Sequence, residues 1–170
     1  MVAKKGSRQM RLFTVLWNTV RRAIGFGCRR EVSSVDINEE PAYQGKNCDE
    51  WIALLINGTS RVRADAVLAL AEIGPASIPA LTELLRGNNT GVRTFAILAL
   101  GRIGLDTQAA LPALTESLRD ENTEVRLFTA MILGRIGPKA KPVIPALMEL
   151  LRDEDEQVRK TAAKALERIK

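Results

Sequence analysis

A four-residue phrase recurs through this chain at a fixed spacing, and that spacing limits the folds open to it. Ile78-Pro79-Ala80-Leu81 returns as Leu111-Pro112-Ala113-Leu114 and as Ile144-Pro145-Ala146-Leu147, 33 residues apart each time. Val-Arg interleaves with it at 62/63, 92/93, 125/126 and 158/159, and Ile-Gly follows at 73/74, 103/104 and 136/137, with Ile169-Lys170 in the same slot. A period of this length means helical hairpins that cannot bury their apolar faces singly and stack to do so.

The first half of each unit reads as an amphipathic helix. Val62, Ala66, Ala69, Leu70 and Ile73 share one stripe, at the spacing a 3.6-residue turn requires. The stripe returns at Val92, Ala96, Ala99, Leu100, Ile103, then at Val125, Thr129, Ile132, Leu133, Ile136, and last at Val158, Ala162, Ala165, Leu166, Ile169. Thr59-Ser60, Asn89-Thr90, Asn122-Thr123 and Asp155-Glu156 precede these helices as capping residues. Gly74, Gly104 and Gly137 close the first three, where a left-handed cap is expected. The second helices start around the prolines, which cost no hydrogen bond in a first turn. Their stripes are Ile78, Leu81, Leu85, then Leu111, Leu114, Leu118, then Ile144, Leu147, Leu151.

A half-unit lies upstream. Trp51, Leu54 and Leu55 precede Val62 as Leu81, Leu84 and Leu85 precede Val92. Residues 48–170 therefore divide into a leading half-repeat 48–57, repeats 58–87, 88–120 and 121–153, and a trailing helix 154–170. Residues 1–30 form a basic leader, and 31–47, with Ser33-Ser34, Glu39-Glu40-Pro41 and Gly45, read as a linker. The expected fold is all-α, a short solenoid of antiparallel helix hairpins.

Charge separates along the same boundaries. Eight basic residues and no acid lie in 1–30, four acids and one lysine in 31–47, and 16 of each sign in 48–170. The net +5 thus belongs to the leader. A neutral repeat body lacks the electrostatic footprint of a nucleic-acid binder, so no specific nucleic acid is expected. Histidine is absent, which removes the commonest general base and metal ligand. Cys28 and Cys48 have no metal-binding spacing and read as free thiols of a reducing, cytoplasmic compartment. No nucleophile sits beside a base and no Gly-rich phosphate loop occurs. A non-enzymatic protein without a cofactor is expected.

The pattern Val-Arg…Ala…Leu-Gly-x-Ile-Gly…Ile-Pro-Ala-Leu…Leu-Leu-Arg-Asp over 48–170 resembles HEAT repeats, in particular the short repeats named after phycobilisome lyases. The resemblance implies a right-handed superhelix with the second helices lining its concave face. It also implies either a protein-binding scaffold or, as the alternative, a bilin lyase or chaperone-like lyase subunit for phycobiliproteins. In that family an Asp six residues before the Arg builds a ladder between neighbouring repeats. Asp120 before Arg126 and Asp153 before Arg159 match it, whereas Gly87 and Asn57 stand before Arg93 and Arg63, so the resemblance implies a ladder incomplete at its N-terminal end.

Three surfaces are candidates for contact. On the second helices Thr82, Thr115 and Met148 share one position, Glu83, Glu116 and Glu149 the next, and Arg86, Arg119 and Arg152 a third. Each Glu–Arg pair is one turn apart. Stacked, they give acidic and basic stripes that are either a solvated face or a groove for a protein or peptide partner. In the leader, Phe13, Leu16, Trp17, Val20 and Ile24 share one helical face, with Arg21 and Arg22 among the residues opposite. That amphipathic segment is too short to span a membrane. It suits packing on the open N-terminal end, a partner groove or a peripheral membrane surface, or it stays without fixed structure. The trailing helix offers Ala162, Ala165, Leu166 and Ile169 as an uncovered face, so a weak homodimer through it is an expectation too.

Overall fold

The structure is a computed structural model, and residues 42–170 are described in it. The leader and most of the linker therefore lie outside the described residues. The last residues of the span read as a linker are described. Strands β1 (Ala42–Tyr43) and β2 (Lys46–Asn47) pair antiparallel across Gln44 and Gly45, at φ 51 and 71. Two consecutive residues at positive φ make the hairpin turn whose twist matches its strands. Strands this short leave no alternation in the sequence to read.

Asn47 then caps helix α1 (Cys48–Asn57). Its side chain accepts the Glu50 N–H at 2.9 Å while the Glu50 carboxylate accepts the Asn47 N–H at 3.0 Å, a reciprocal box satisfying two orphan donors. Three first helices follow, α2 (Ser60–Ile73), α4 (Thr90–Ile103) and α6 (Thr123–Ile136), alternating with shorter second helices α3 (Ile78–Leu84), α5 (Leu111–Ser117) and α7 (Ile144–Glu149). Helix α8 (Glu156–Ile169) completes the described chain. Thr59, Asn89, Asn122 and Asp155 cap the longer helices through their side-chain oxygens.

Each first helix passes to its partner through a 3-10 turn, four residues long at Gly74–Ser77 and seven at Gly104–Ala110 and Gly137–Val143. The three glycines enter these turns at φ 69 to 76, with ψ between −127 and −142. That is not the left-handed helical cap the sequence suggests. It is an extended conformation at positive φ, which a Cβ disfavours. Ser60–Leu84 is apolar and long enough in total to cross a membrane, but it comprises two helices separated at Gly74.

The elements stack in sequence order. The long helices form one row, α2 on α4, α4 on α6, α6 on α8, and each shorter helix packs on the long helix after it. The core between the two layers is almost all Leu, Ile, Val and Ala, with Leu55, Leu70, Leu81, Leu100, Leu114, Leu133 and Leu147 fully buried. Its removal from water at roughly 25 cal/mol per Å² is what stacking achieves and one hairpin cannot.

Two apolar assignments change. Leu151 is 40% exposed while Leu150 is buried, because α7 stops at Glu149 and tightens into a 3-10 turn over Leu150–Arg152. The shorter residue repeat of that turn moves Leu150 into the core. On α8, Ala162, Ala165, Leu166 and Ile169 are buried rather than uncovered, against α6, α7 and the turns flanking α7. The face proposed for a homodimer is thus occupied within one chain. The outward residues of α8 include Lys160, Ala163, Lys164, Glu167 and Arg168.

Candidate interaction face and the arginine ladder

The Val-Arg arginines lie in the seam between repeats. Each sits in the first turn of a long helix, so its guanidinium reaches a carbonyl at the end of the preceding short helix or in the loop just after it. Arg63 donates to Ile56 O at 3.0 Å, Arg93 to Gly87 O at 2.9 Å, Arg126 to Asp120 O at 3.0 Å and Arg159 to Asp153 O at 2.7 Å. Carbonyls at and just beyond a helix end have no intrahelical donor, and the guanidinium supplies one.

The carboxylates come from the other side. Arg93 Nε lies 2.8 Å from Asp120 Oδ2, and Nη2 donates to Oδ1 at 2.9 Å. Arg126 repeats this on Asp153 at 2.8 and 3.0 Å, and reaches Glu154 at 3.2 Å. The expected pairing is therefore corrected. The Asp six residues before an arginine gives that arginine its backbone carbonyl, and its side chain goes back to the arginine of the preceding repeat. Arg93 is consequently paired, and among the described residues Arg63 and Arg159 are the rungs without an acid, Arg63 because Gly87 occupies the place of Asp120 and Asp153. Among the described residues the Arg63 Nε is buried without a hydrogen-bond acceptor, and so is the Arg93 Nε, whose 2.8 Å contact with Asp120 is an ion pair and not an aligned hydrogen bond.

Both ladder pairs are about nine-tenths buried, which strengthens a forked pair and raises the cost of breaking it. The Arg126 hydrogen bonds hold the Asp153 carboxyl below its usual range against the opposing effect of burial. The same bonds raise the Arg126 guanidinium.

The short helices carry the second constellation. Thr82 and Thr115 turn their hydroxyls back onto Ile78 O and Leu111 O at 2.8 and 2.7 Å, so these hydroxyls are already engaged in their own helices. Arg86 meets Glu83 one turn away at 3.0 Å and Glu116 of the next repeat at 3.7 Å. Arg119 turns to Glu149 of the next repeat, with contacts of 2.8 to 3.1 Å, instead of to Glu116. The charges thus alternate across the stack and compensate one another between units. At the α7 end the face changes character. Met148 is 57% exposed beside exposed Leu151, and Arg152 has no ion-pair partner among the described residues.

A third feature is an open depression of about 200 Å³ between α1 and α2, lined by Trp51, Leu54, Val62, Asp65 and Leu68 among others. Lys46 Nζ lies 5.1 Å from the centre of the Trp51 ring, and the indole is buried. The leader residues Phe13, Leu16, Trp17, Val20, Arg21, Arg22 and Ile24 lie outside the described residues.

The family model for HEAT repeats matches residues 49–126 and 111–170. The chain belongs to the HEAT-repeat family. Solved structures of low identity share the fold. The complex of CpcE and CpcF of phycocyanin lyase from Nostoc is 22% identical, with a TM-score of 0.63, over 72% of this chain and 77% of that one. Human deoxyhypusine hydroxylase in complex with glycerol is 23% identical with a TM-score of 0.60, over 89% of this chain and 52% of the other. A designed armadillo repeat protein in complex with the peptide (KR)4 is 23% identical with a TM-score of 0.56, over 71% and 63%. No curated protein matches.

Within this HEAT fold the sequence reading missed the contribution of Glu154 to the ladder and the exposure of Leu151. The doublets Asp120-Glu121 and Asp153-Glu154 were the available signal for the first. Nothing in the period announces the second, because it depends on where α7 ends.

Proposed function

We propose that the chain is a non-catalytic interaction scaffold that binds a protein or peptide across its short-helix face. What supports this is the exposed α7 end of the face, where Met148, Leu151 and Arg152 adjoin stripes whose charges are largely compensated. Arg86 and Arg119 are already engaged by glutamates of the next repeat. Fixed in this way, they orient a partner more than they attract one. Affinity then comes from apolar anchors, since exposed ion pairs contribute about 0–1 kcal/mol. A partner with an apolar side chain followed by an acid fits Met148, Leu151 and the unpaired Arg152.

The test is capture by the full chain, repeated with Met148→Lys, with Glu116→Lys plus Glu149→Lys, and with Lys164→Glu on the opposite layer. Loss of one and the same partner with the first two, and its retention with the third, supports the reading. A partner insensitive to both short-helix variants refutes it.

The likeness to the CpcE–CpcF complex favours a second reading, a lyase subunit for phycobiliproteins. The depression described above is smaller than the roughly 300–1,000 Å³ typical of small-molecule sites, which weighs against a bilin held by this chain alone. Co-expression with a phycobiliprotein and free bilin, read by absorbance, separates the two.

A further inference from the structure

Among the described residues helix α2 begins the row of long helices, and positions that later repeats keep covered lie open on it. Val62, Asp65 and Leu68 correspond to Val92, Phe95 and Leu98 on α4 and to Val125, Phe128 and Met131 on α6. Val92 and Val125 are buried and the other four half-buried, whereas Val62 is only half-buried and Asp65 and Leu68 are exposed, Leu68 at 44%. The direction of this opening can be read from the packing. Ile132, seven residues after Val125, fills the space above Gly101 of the preceding long helix, and Ala165 does the same over Gly134. That edge faces backwards along the row. On α2 the equivalent position, Ala69, is itself buried, so the opening is confined to Val62, Asp65 and Leu68, which line the depression beside Trp51 and Leu54 with no long helix over them among the described residues.

The chain itself holds a segment that suits this seat. Helix α1 is a short-type helix with no long partner among the described residues, and such a partner would precede it in sequence. Phe13, Trp17, Val20 and Ile24 recur at the spacing of Val62, Ala66, Ala69 and Ile73, and Ile24-Gly25 repeats the dipeptide that closes α2, α4 and α6. One position departs from the pattern: Arg21 stands where Leu70, Leu100 and Leu133 are buried. A guanidinium there, with Phe13 and Trp17 replacing smaller side chains, forbids a hairpin as closely packed as the others. It allows a helix resting over an open depression with Arg22 outward and Arg21 at the rim of the seated face. Asp65 at the rim has no ion-pair partner among the described residues, and the leader is basic throughout. The 16 residues 26–41 can extend to about 50 Å, which is ample for a return from the seat to β1.

We propose that residues 13–24 form a helix seated on α1 and α2 over Trp51, Val62 and Leu68, closing the N-terminal end of the stack in place of the missing long helix.

The chain has two tryptophans, so Trp51→Phe leaves Trp17 as sole reporter. In the full-length variant, blue-shifted emission and acrylamide quenching several-fold slower than for an exposed indole are expected, both lost on adding Asp65→Lys and Leu68→Lys. Hydrogen exchange on the unaltered full chain gives the same reading without touching Trp51. Protected amides in 13–24 are expected, and they lose protection in Asp65→Lys/Leu68→Lys while α4 and α6 keep theirs. Solvent-like Trp17 with unprotected amides overturns the proposal. So does protection insensitive to the α2 substitutions, or protection that appears only with anionic vesicles, which would make the segment a membrane-surface helix.

Discussion

The seams on either side of the middle repeat are joined by different means. Between the last units, Arg93 and Arg126 each take a buried aspartate from the next loop and a carbonyl from the loop before. At the first unit Arg63 makes the carbonyl bond alone. The long helices differ in step. Gly101 and Gly134 let the later ones approach until a Cβ would meet Ile132 or Ala165, while Ala71 holds the same place on α2. The first connection is shorter as well. One fold thus accommodates a charged seam and a mostly apolar one, so the stack itself depends on the shared Leu and Ile stripes. The charged seams add to it locally.

This contrast predicts unequal costs for equivalent substitutions. Arg126→Ala strands the buried Asp153 and frees two carbonyls, and should cost about 3 kcal/mol, lowering Tm by roughly 6–12 °C for a chain of this size. Arg63→Ala removes one hydrogen bond together with an unsatisfied Nε, so about 1 kcal/mol is expected. Equal losses in denaturant melts would contradict the contrast. Gly134→Ala comes next. The new methyl would sit 2.9 Å from Ala165 Cα, and backbone cannot step aside as a side chain end can, so about 2 kcal/mol of overpacking is expected. An unchanged melting curve would mean the α6–α8 step is looser than drawn.

Acid should find the charged seam first. The folded Asp153 carboxyl titrates below its usual value, so the stability it contributes is present above about pH 4 and is lost as pH falls through the lowered folded value. Arg126 stays protonated throughout that window. Urea midpoints from pH 5 to 2 should fall more steeply in the parent than in Asp153→Asn. Parallel curves would remove this pair from the acid response.

Much of this was legible in the sequence because period and burial have one cause. A side chain that recurs every 33 residues meets its own copies, so the stripes through Leu70, Leu100, Leu133 and Leu166 could be placed without coordinates. The direction of the ladder could not. Asp120 lies six residues from Arg126 and 27 from Arg93, and only the fold decides which one the carboxylate faces. Arg119 likewise chooses Glu149 across the seam over Glu116 on its own helix. On the interaction face, Met148 and Leu151 stand out because α7 ends early, a packing outcome that no heptad or period encodes.

The smallest expected effect sharpens the contrast most. If the first seam is weak because Gly87 stands where the later loops carry aspartate, Gly87→Asp should supply the missing carboxylate to Arg63. Gly87 has no positive φ, and a Cβ there would meet only Leu84 O at 3.3 Å, so the backbone can accept it with little adjustment. Desolvation of the new charge offsets most of the gain, and a net of about 0.5 kcal/mol is expected, visible as a small rise in Tm. A double-mutant cycle separates pairing from incidental helix-end effects. The gain should vanish in an Arg63→Ala background, because the carboxylate then has no guanidinium to meet. A rise that survives there would place its origin in the loop, and the missing rung would no longer explain why the two seams differ.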